Sequence, residues 1–169
     1  KRLAKDEAGA RAEFERAAGR FEVVYKSDPK NADNIISLIE SYEAANQSEK
    51  ALKLTRDAVA SDPNNMMYRY AYGVFLLKQE KFQESIEQFK KALEIDPTNG
   101  DATYNCGVAY LNWGVAMKNE SDKKAEDERK GGKGMKDIKE DVSYKEKFKE
   151  AIPYLEKITE IRKDDALLW

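Results

Sequence analysis

Few side chains in this sequence could do chemistry. The 169 residues include no histidine, which removes the commonest general base and the commonest zinc ligand together. The single cysteine, Cys106, cannot form an internal disulfide or a cysteine-based metal site, and its apolar surroundings indicate a small core side chain rather than a nucleophile. Because no residue constellation indicates catalysis, we expect a chain that is not an enzyme and that binds no cofactor.

A segment rich in lysine and glycine superficially resembles a phosphate-binding loop. Residues 130–134 read Lys-Gly-Gly-Lys-Gly, whereas that loop needs two glycines five apart, then lysine and serine or threonine, between a strand and a helix. Nearby carboxylates such as Glu126 and Glu128 lack the alternating pattern of a calcium loop, and we interpret them as solvated surface. Neither nucleotide nor metal is therefore an expected ligand.

Charge and hydropathy exclude two further classes of partner. The chain has 30 basic and 32 acidic residues, a net charge of −2 and a pI near 5.5, whereas nucleic-acid binders usually show a basic excess. The longest apolar stretch, residues 71–77, is far shorter than the ~20 residues of a membrane span. We expect no nucleic-acid binding and no membrane insertion. The chain starts at Lys1, so we expect that a preceding segment has been removed.

A repeated sequence pattern determines where the helices that would carry any binding surface begin and end. The tetrapeptide Asp-Pro-x-Asn begins at positions 28, 62 and 96, which are evenly spaced along the chain. Proline cannot continue a helix and asparagine is a favoured N-cap, so each tetrapeptide ends one helix and starts the next. Between them the apolar residues recur every three or four positions, which predicts two amphipathic helices per repeat.

The third repeat has small and aromatic residues at characteristic offsets: Gly73, Ser85, Phe89, Ala92 and Pro97. In this the sequence resembles the tetratricopeptide repeat family, whose unit is a helix-turn-helix of about 34 residues. The resemblance implies an all-α fold, a right-handed α-solenoid of antiparallel helix pairs. It implies one domain over residues 1–169, with units at about 1–31, 32–65, 66–99 and 100–165, and with 166–169 starting a further helix.

The fourth unit is interrupted by about 32 residues near 119–150, most of them charged or glycine. One interpretation is a flexible excursion, and the other is a helical hairpin that turns at the glycines. We favour a mixture, in which the outgoing half is frayed and the return half is helical from about Lys136. The return half has an apolar stripe at residues 135, 138, 142, 148 and 152. We expect a bend at Pro153 if that helix begins before Ser143.

The family resemblance implies a binding groove on the concave face, lined by the first helix of each pair. The matching positions in the third and fourth units give the candidate partner-binding residues: Met67, Tyr70, Val74, Leu77, Tyr104, Val108 and Leu111. Three pairs among them share a position in successive units, so we expect apolar and aromatic ladders with an acidic end in the second unit. Members of the family that clamp a terminal carboxylate use lysine and asparagine at positions that hold Tyr70 and Val74 here, so a carboxylate clamp is not expected.

The leading hypothesis is a non-catalytic interaction scaffold that binds an apolar or aromatic segment of a protein partner in this groove. Alternatives are that neighbouring helices cover the ladders, that the chain is an accessory or regulatory domain of a larger enzyme or assembly, or that it self-associates through an apolar edge near Trp169. The charged insertion is similar to what is found in tetratricopeptide proteins of Bacteroidetes, many of them exported to the envelope. That resemblance implies a periplasmic location, with the cytoplasm as the alternative.

Overall fold

The computed structural model describes residues 2–29, 31–132, 134 and 141–161, with side chains from residue 9 onward. Within those ranges the chain forms α-helices and no strand, which confirms the all-α class. The helices are α1 (Arg2–Ser27), α2 (Ala32–Ala44), α3 (Ser48–Ser61), α4 (Met66–Lys78), α5 (Phe82–Ile95), α6 (Gly100–Lys130) and α7 (Tyr144–Ile161).

The repeated tetrapeptides start helices as the sequence predicts. The Asn31 side-chain oxygen accepts from the backbone N–H of Asn34 at 3.1 Å, and Asn99 does the same with Ala102 at 2.8 Å. Asn65 accepts from two N–H groups of the first turn of α4. Each asparagine thus satisfies donors that have no partner within the helix, and this fixes where α2, α4 and α6 begin.

The turns that join the helices of a pair also repeat. Asn46 follows α2, Glu80 follows α4 at the equivalent position of the next unit, and both have a left-handed backbone, with φ of 62° and 57°. Each is the second residue after the end of its helix. The left-handed conformation costs a residue that has a Cβ about 1 kcal/mol. Asparagine tolerates it better than glutamate does. The identical local geometry supports a common helix-turn-helix unit.

The chain divides into two compact units, Lys1–Phe75 and Leu76–Trp169. In the first unit α2 packs against α1 and α3, and in the second α6 packs against α5 and α7. The central helix of each set supplies more of the buried apolar side chains than either neighbour does: Ile35, Leu38, Ile39 and Tyr42 from α2, and Ala102, Cys106, Ala109 and Tyr110 from α6. Ala58 and Ala92 are also buried, as their place in the repeat predicts. The repeat boundaries stay predictions, and residues 166–169 lie outside the described part.

The charged insertion departs from the predicted mixture, because its outgoing half is helical. α6 continues without a break to Lys130 and has 31 residues, where α4 has 13. Ion pairs one turn apart run along the extension, joining Lys124 to Glu120 and Lys130 to Glu126 at 2.7 Å. Such pairs add about 0.2–0.5 kcal/mol each to a helix made of residues that already favour helix. The prediction of a frayed outgoing half was wrong.

The return half is helical from Tyr144, where α7 begins. The predicted helix start near Lys136 lies outside the described part, which omits residues 135–140. The Asp141 carboxylate accepts from the Ser143 N–H at 2.9 Å just before the helix begins. Of the predicted apolar stripe, Val142 and Ile152 are about half exposed, and the stripe that faces inward is Tyr144, Phe148, Ala151, Leu155 and Ile158. Pro153 lies inside α7, and the condition for the predicted bend is not met, since the helix begins after Ser143.

Small residues allow α6 and α7 to approach closely. A Cβ placed on Gly107 would lie 3.0 Å from Leu155 Cδ2, and one on Gly114 would lie 2.5 Å from Phe148 Cε1. Seven residues further on, the Ser121 hydroxyl donates to the Asp141 carbonyl at 3.2 Å. The expected close packing at Gly107 is confirmed. The same seam continues at Gly114, which the family pattern does not mark, and reaches the inserted residue Ser121, so the described part of the insertion lengthens the packing between α6 and the segment that leads into α7.

Candidate functional site

In the first unit, the candidate residues Met67, Tyr70 and Val74 lie along one stripe of α4. Met67 is 38% exposed, and the other two are partly buried. The opposite stripe of the same helix enters the core with Tyr68 and Tyr72. The predicted positions are therefore accessible, and the alternating exposure follows from an amphipathic helix with 3.6 residues per turn.

In the second unit, α6 presents a longer apolar stripe. Tyr104 is 43% exposed, Val108 and Leu111 are partly buried, and Val115 continues the same face at 48% exposed. Spacings of four, three and four residues keep these side chains on one side of the helix. The equivalent helix α4 ends before a position that would match Val115. The repeat frame therefore could not mark Val115, which is accessible because the insertion prolongs α6.

The seventh candidate, Leu77, lines an open depression of about 490 Å³ at the end of α4. Phe82, Val115 and Ala116 complete its apolar part, and Asn112 and Asn119 are among its polar residues. The structure thus brings Leu77 together with the extended part of α6. The other candidates of the second unit, Tyr104, Val108 and Leu111, follow along α6 toward its N-terminus.

A buried polar cluster in the second unit surrounds the single thiol. Cys106 is fully buried, and burial raises its pKa to about 11, which suits the predicted core role better than that of a nucleophile. Burial and the neighbouring thiol raise the pKa of Tyr154, whose ring stacks on Tyr110 with centroids 5.8 Å apart. A hydrogen bond with Tyr110 raises the pKa of Lys90. The described residues contain no group of three or more His, Cys, Asp or Glu side chains placed to hold a metal ion.

The first unit has a matching cluster with the opposite charges. The Tyr42 hydroxyl donates to Glu22 at 2.7 Å, and the Lys50 ammonium lies 3.4 Å from the same carboxylate oxygen. These contacts lower the pKa of Glu22, with the tyrosine hydrogen bond the larger cause, and burial raises the pKa of Tyr42. The Lys50 ammonium also lies 5.1 Å from the centre of the Tyr42 ring. Sequence patterns did not identify this cluster, because its members come from three helices.

No helix in the described ranges combines the length and the apolar character that a bilayer crossing requires. Amphipathic helices in pairs, capped by asparagine at a regular interval, define a helical-repeat protein. A family model described as "TPR repeat" matches residues 73–114, and one described as "Anaphase-promoting complex, cyclosome, subunit 3" matches residues 11–92. The chain belongs to the tetratricopeptide repeat family.

Relatives with curated names match about half of the chain. Protein O-mannosyl-transferase TMTC3 of Mus musculus is 33% identical over 78 residues, which is 46% of this chain and 8% of that protein. Anaphase-promoting complex subunit CDC16 of Saccharomyces cerevisiae is 31% identical over 86 residues, or 49% of this chain and 10% of the relative. The chain therefore spans about a tenth of the length of these relatives.

Solved structures match over nearly the whole chain. YrrB, described as a TPR protein with an unusual peptide-binding site, aligns with a TM-score of 0.59 and 24% identity over 92% of this chain and 64% of its own. MamA from Desulfovibrio magneticus RS-1 aligns with a TM-score of 0.61 and 17% identity, over 92% of this chain and 70% of its own. At these identities the likeness establishes the fold. Its repeats identify the chain as a protein–protein interaction scaffold.

Proposed function

We propose that this scaffold binds an apolar or aromatic segment of a partner protein on the exposed stripe of α6, and that the equivalent stripe of α4 in the first unit is a face of the same kind. The observation that carries the proposal is the stripe of Tyr104, Val108, Leu111 and Val115, whose two ends are 43% and 48% exposed. Single exposed apolar residues are common on protein surfaces, whereas contiguous exposed apolar patches mark interaction sites. The four side chains of this stripe lie on one helix face and form such a patch.

The chemistry of the stripe favours an aromatic or apolar occupant over a charged one. Tyrosine offers a large contact area at a small cost in side-chain entropy, which is why it is frequent among residues that dominate binding energy. The next turn of the stripe is polar, because Asn112 and Asn119 flank the depression at Leu77. A bound segment can therefore place apolar side chains on the stripe and hydrogen-bond its backbone to these amides.

The α4 stripe supports the same proposal from the first unit. Tyr70 and Tyr104 each lie five residues after the capping asparagine of their helix, and Val74 and Val108 each lie nine after it. The same two residue types thus recur at equivalent, accessible positions. A lysine and asparagine pair, as in the carboxylate clamps of the family, does not occupy them, so the proposed ligand is an internal segment rather than a chain terminus.

A library of displayed random peptides tests this proposal without knowledge of the partner. Selection on the wild-type chain is expected to enrich sequences with aromatic or large apolar residues, and the enriched peptides are then measured against the double variant Tyr104→Ala, Val115→Ala. Loss of the two most exposed apolar side chains of the stripe is expected to weaken binding at least about tenfold. Ile152→Ala is the matched control, since Ile152 is 49% exposed on α7, off the stripe, and should leave binding unchanged. Equal binding by all three proteins would refute the proposal.

A second candidate is an accessory or regulatory domain of a larger enzyme or assembly. The relatives support it, since one is named as an O-mannosyl-transferase and one as a subunit of the anaphase-promoting complex. The matched part is 8–10% of the length of these proteins. The sequence of the gene that encodes the chain tests it, because a catalytic region in the same open reading frame is the expected result.

Self-association near Trp169 concerns residues outside the described part. Comparison of the sedimentation of the wild type with that of Trp169→Ser tests it.

A further inference from the structure

A cavity in the first unit is lined by none of the residues of the stripes on α4 and α6. It has a volume of about 320 Å³, is open to solvent, and lies among α1, α2 and α3. Its apolar wall consists of Tyr25, Leu38, Tyr42 and Leu54. The charged residues around it are Glu22, Lys26, Lys50, Lys53 and Asp57. An apolar space with a few fixed polar groups at its edge is the usual form of a ligand site.

The second unit contains the equivalent space among α5, α6 and α7, and there the chain fills it. In the repeat frame Leu38 corresponds to Cys106 and Tyr42 to Tyr110, while Leu54 corresponds to Tyr154 once the insertion is allowed for. The Tyr154 ring stacks on Tyr110 with an interplanar angle of 27°, and its hydroxyl interacts with Cys106. In the second unit the Tyr154 ring thus lies against Cys106 and Tyr110. Their counterparts in the first unit, Leu38 and Tyr42, line the cavity.

The charges around the two spaces are exchanged at equivalent positions. Glu22 on α1 corresponds to Lys90 on α5, and Lys50 on α3 corresponds to Glu150 on α7. The tyrosine of the central helix hydrogen-bonds with the equivalent neighbour in both units, Tyr42 as donor to Glu22 and Tyr110 with Lys90. The positions around the ring are therefore equivalent although their charges are exchanged, and the first unit has Leu54 where the second has the ring of Tyr154.

We infer that the cavity among α1, α2 and α3 receives one aromatic side chain of a partner polypeptide, which stacks on the Tyr42 ring as Tyr154 stacks on Tyr110. The volume admits a phenol, because Leu54 is shorter than the tyrosine at the equivalent position. Three lysines and two carboxylates surround the cavity, so the surplus positive charge favours an acidic residue beside the aromatic one. This site is additional to the face on α4 and α6, and it does not depend on the proposed function.

The probe for the test is 4-methylphenol, the side chain of tyrosine, titrated into the ¹⁵N-labelled chain. A ligand of this size is expected to bind with a dissociation constant on the order of millimolar, and to shift amide resonances of α1, α2 and α3. Leu54→Tyr introduces the ring that the second unit already has, so it is expected to abolish these shifts. Leu54→Met, which conserves volume, is the matched control and should leave them in place.

Two further variants keep the test decisive if Leu54→Tyr does not fold. Tyr42→Leu removes the stacking surface, and we expect it to weaken binding about threefold to tenfold. The variant should fold, because Leu76 holds the equivalent position in the third repeat. Tyr154→Leu empties the space in the second unit and is expected to create a second set of shifts around Cys106 and Tyr110. Shifts that lie outside α1–α3 in the wild type, or that persist unchanged in Leu54→Tyr and Tyr42→Leu, would overturn the inference.

A peptide titration then separates the two sites. A peptide with a single Asp-Tyr pair is expected to shift α1–α3 resonances and to bind the Tyr104→Ala, Val115→Ala variant as well as the wild type. Replacement of its tyrosine by leucine is expected to weaken that binding. Failure of the cavity site leaves the enrichment of peptides on the α6 stripe unaffected, and failure of the stripe leaves the 4-methylphenol shifts unaffected, so the two proposals fail separately.

Discussion

The contact between Gly114 and Phe148 decides how closely the inserted hairpin can pack, and Gly114→Ala tests it. A Cβ at Gly114 would lie 2.5 and 2.7 Å from two ring carbons of Phe148, which is shorter than any carbon–carbon contact that a folded protein keeps. The ring must therefore move, or α6 and α7 must separate. Phe148 also meets Tyr144 edge to face at 5.8 Å, so a displaced ring loses that contact as well.

The expected free-energy change is the difference between two effects of opposite sign. Overpacking of a well-packed interface costs about 1–3 kcal/mol. Alanine is favoured over glycine by about 1 kcal/mol within a helix, and Gly114 lies well inside α6. We expect Gly114→Ala to lower the free energy of unfolding by about 1 kcal/mol. Gly19→Ala is the matched control in α1, because nothing lies within 4 Å of its Cβ, and it should raise stability by about 1 kcal/mol.

Urea unfolding monitored by tryptophan fluorescence measures the change. In a Trp169→Phe background the chain keeps one tryptophan, Trp113, which lies on α6 with the Lys147 ammonium of α7 4.2 Å from its ring centre. Its emission therefore reports on the second unit, and circular dichroism, which follows the helices of both units, is recorded in parallel for Gly19→Ala in α1. In the Phe148→Ala background the added methyl has room, so Gly114→Ala should become stabilising by about 1 kcal/mol, giving a coupling energy of about 2 kcal/mol.

Two results would refute this reasoning. One is a Gly114→Ala chain that is as stable as Gly19→Ala, which would mean that the Phe148 ring moves at no cost. The other is the same effect of Gly114→Ala with and without the Phe148 ring, which would place the cost elsewhere.

Three more predictions concern single residues. Asn99→Ala removes the oxygen that caps α6 and should cost about 1 kcal/mol in urea unfolding, while Asn99→Asp should keep most of the stability. Burial raises the pKa of Cys106 from 9.0 to about 11, so its alkylation by iodoacetamide at pH 8 should be about a hundredfold slower in the folded chain than in urea. The pKa of Glu22 is lowered from 4.5 on folding, so its contribution is present above pH 4.5 and is lost as pH falls through the lower folded value; the stability advantage of the wild type over Glu22→Gln should shrink in acid.

The helix starts could be predicted from sequence because they depend on local chemistry. Proline at 29, 63 and 97 and asparagine two residues later act through their own backbone and side chain, and the caps at Asn31, Asn65 and Asn99 follow directly. The core positions of α4 and α6 follow from the same frame, since a period of 3.6 residues fixes which side chains share a face.

The inserted hairpin was harder to predict because composition and periodicity point in opposite directions there. High charge with few apolar residues is typical of disorder, yet the same lysines and glutamates favour helix and pair one turn apart. What joins the two helices is a seam of small residues: Gly107 and Gly114 face bulky side chains of α7, and Ser121 donates to the Asp141 carbonyl just before that helix. Small residues at a spacing of seven give almost no hydrophobic signal, so the pattern is visible only once the partner helix is in place.

The candidate site was predicted in part for the same reason. Tyr70 and Tyr104 could be assigned by counting from the capped starts of their helices. Val115 could not be assigned, because the equivalent helix of the repeat frame, α4, ends before the matching position. The cluster of Glu22, Tyr42 and Lys50 is composed of residues up to 28 positions apart, and its significance depends on the cavity beside it.

The exchanged charges of the two clusters bear on how repeats of similar sequence keep their register. Contacts such as that of Lys50 with Glu22, which are partly exposed, contribute little to stability, about 0–1 kcal/mol. Specificity is a difference between arrangements, however, and it can come from repulsion in the wrong one. If α7 took the place of α3 beside α1, Glu150 would face Glu22, and if α3 took the place of α7 beside α5, Lys50 would face Lys90. Each wrong pairing thus sets like charges beside the tyrosine of the central helix, where the native pairing sets opposite ones. Repeats that share a frame but oppose their charges therefore favour the order in which they occur along the chain.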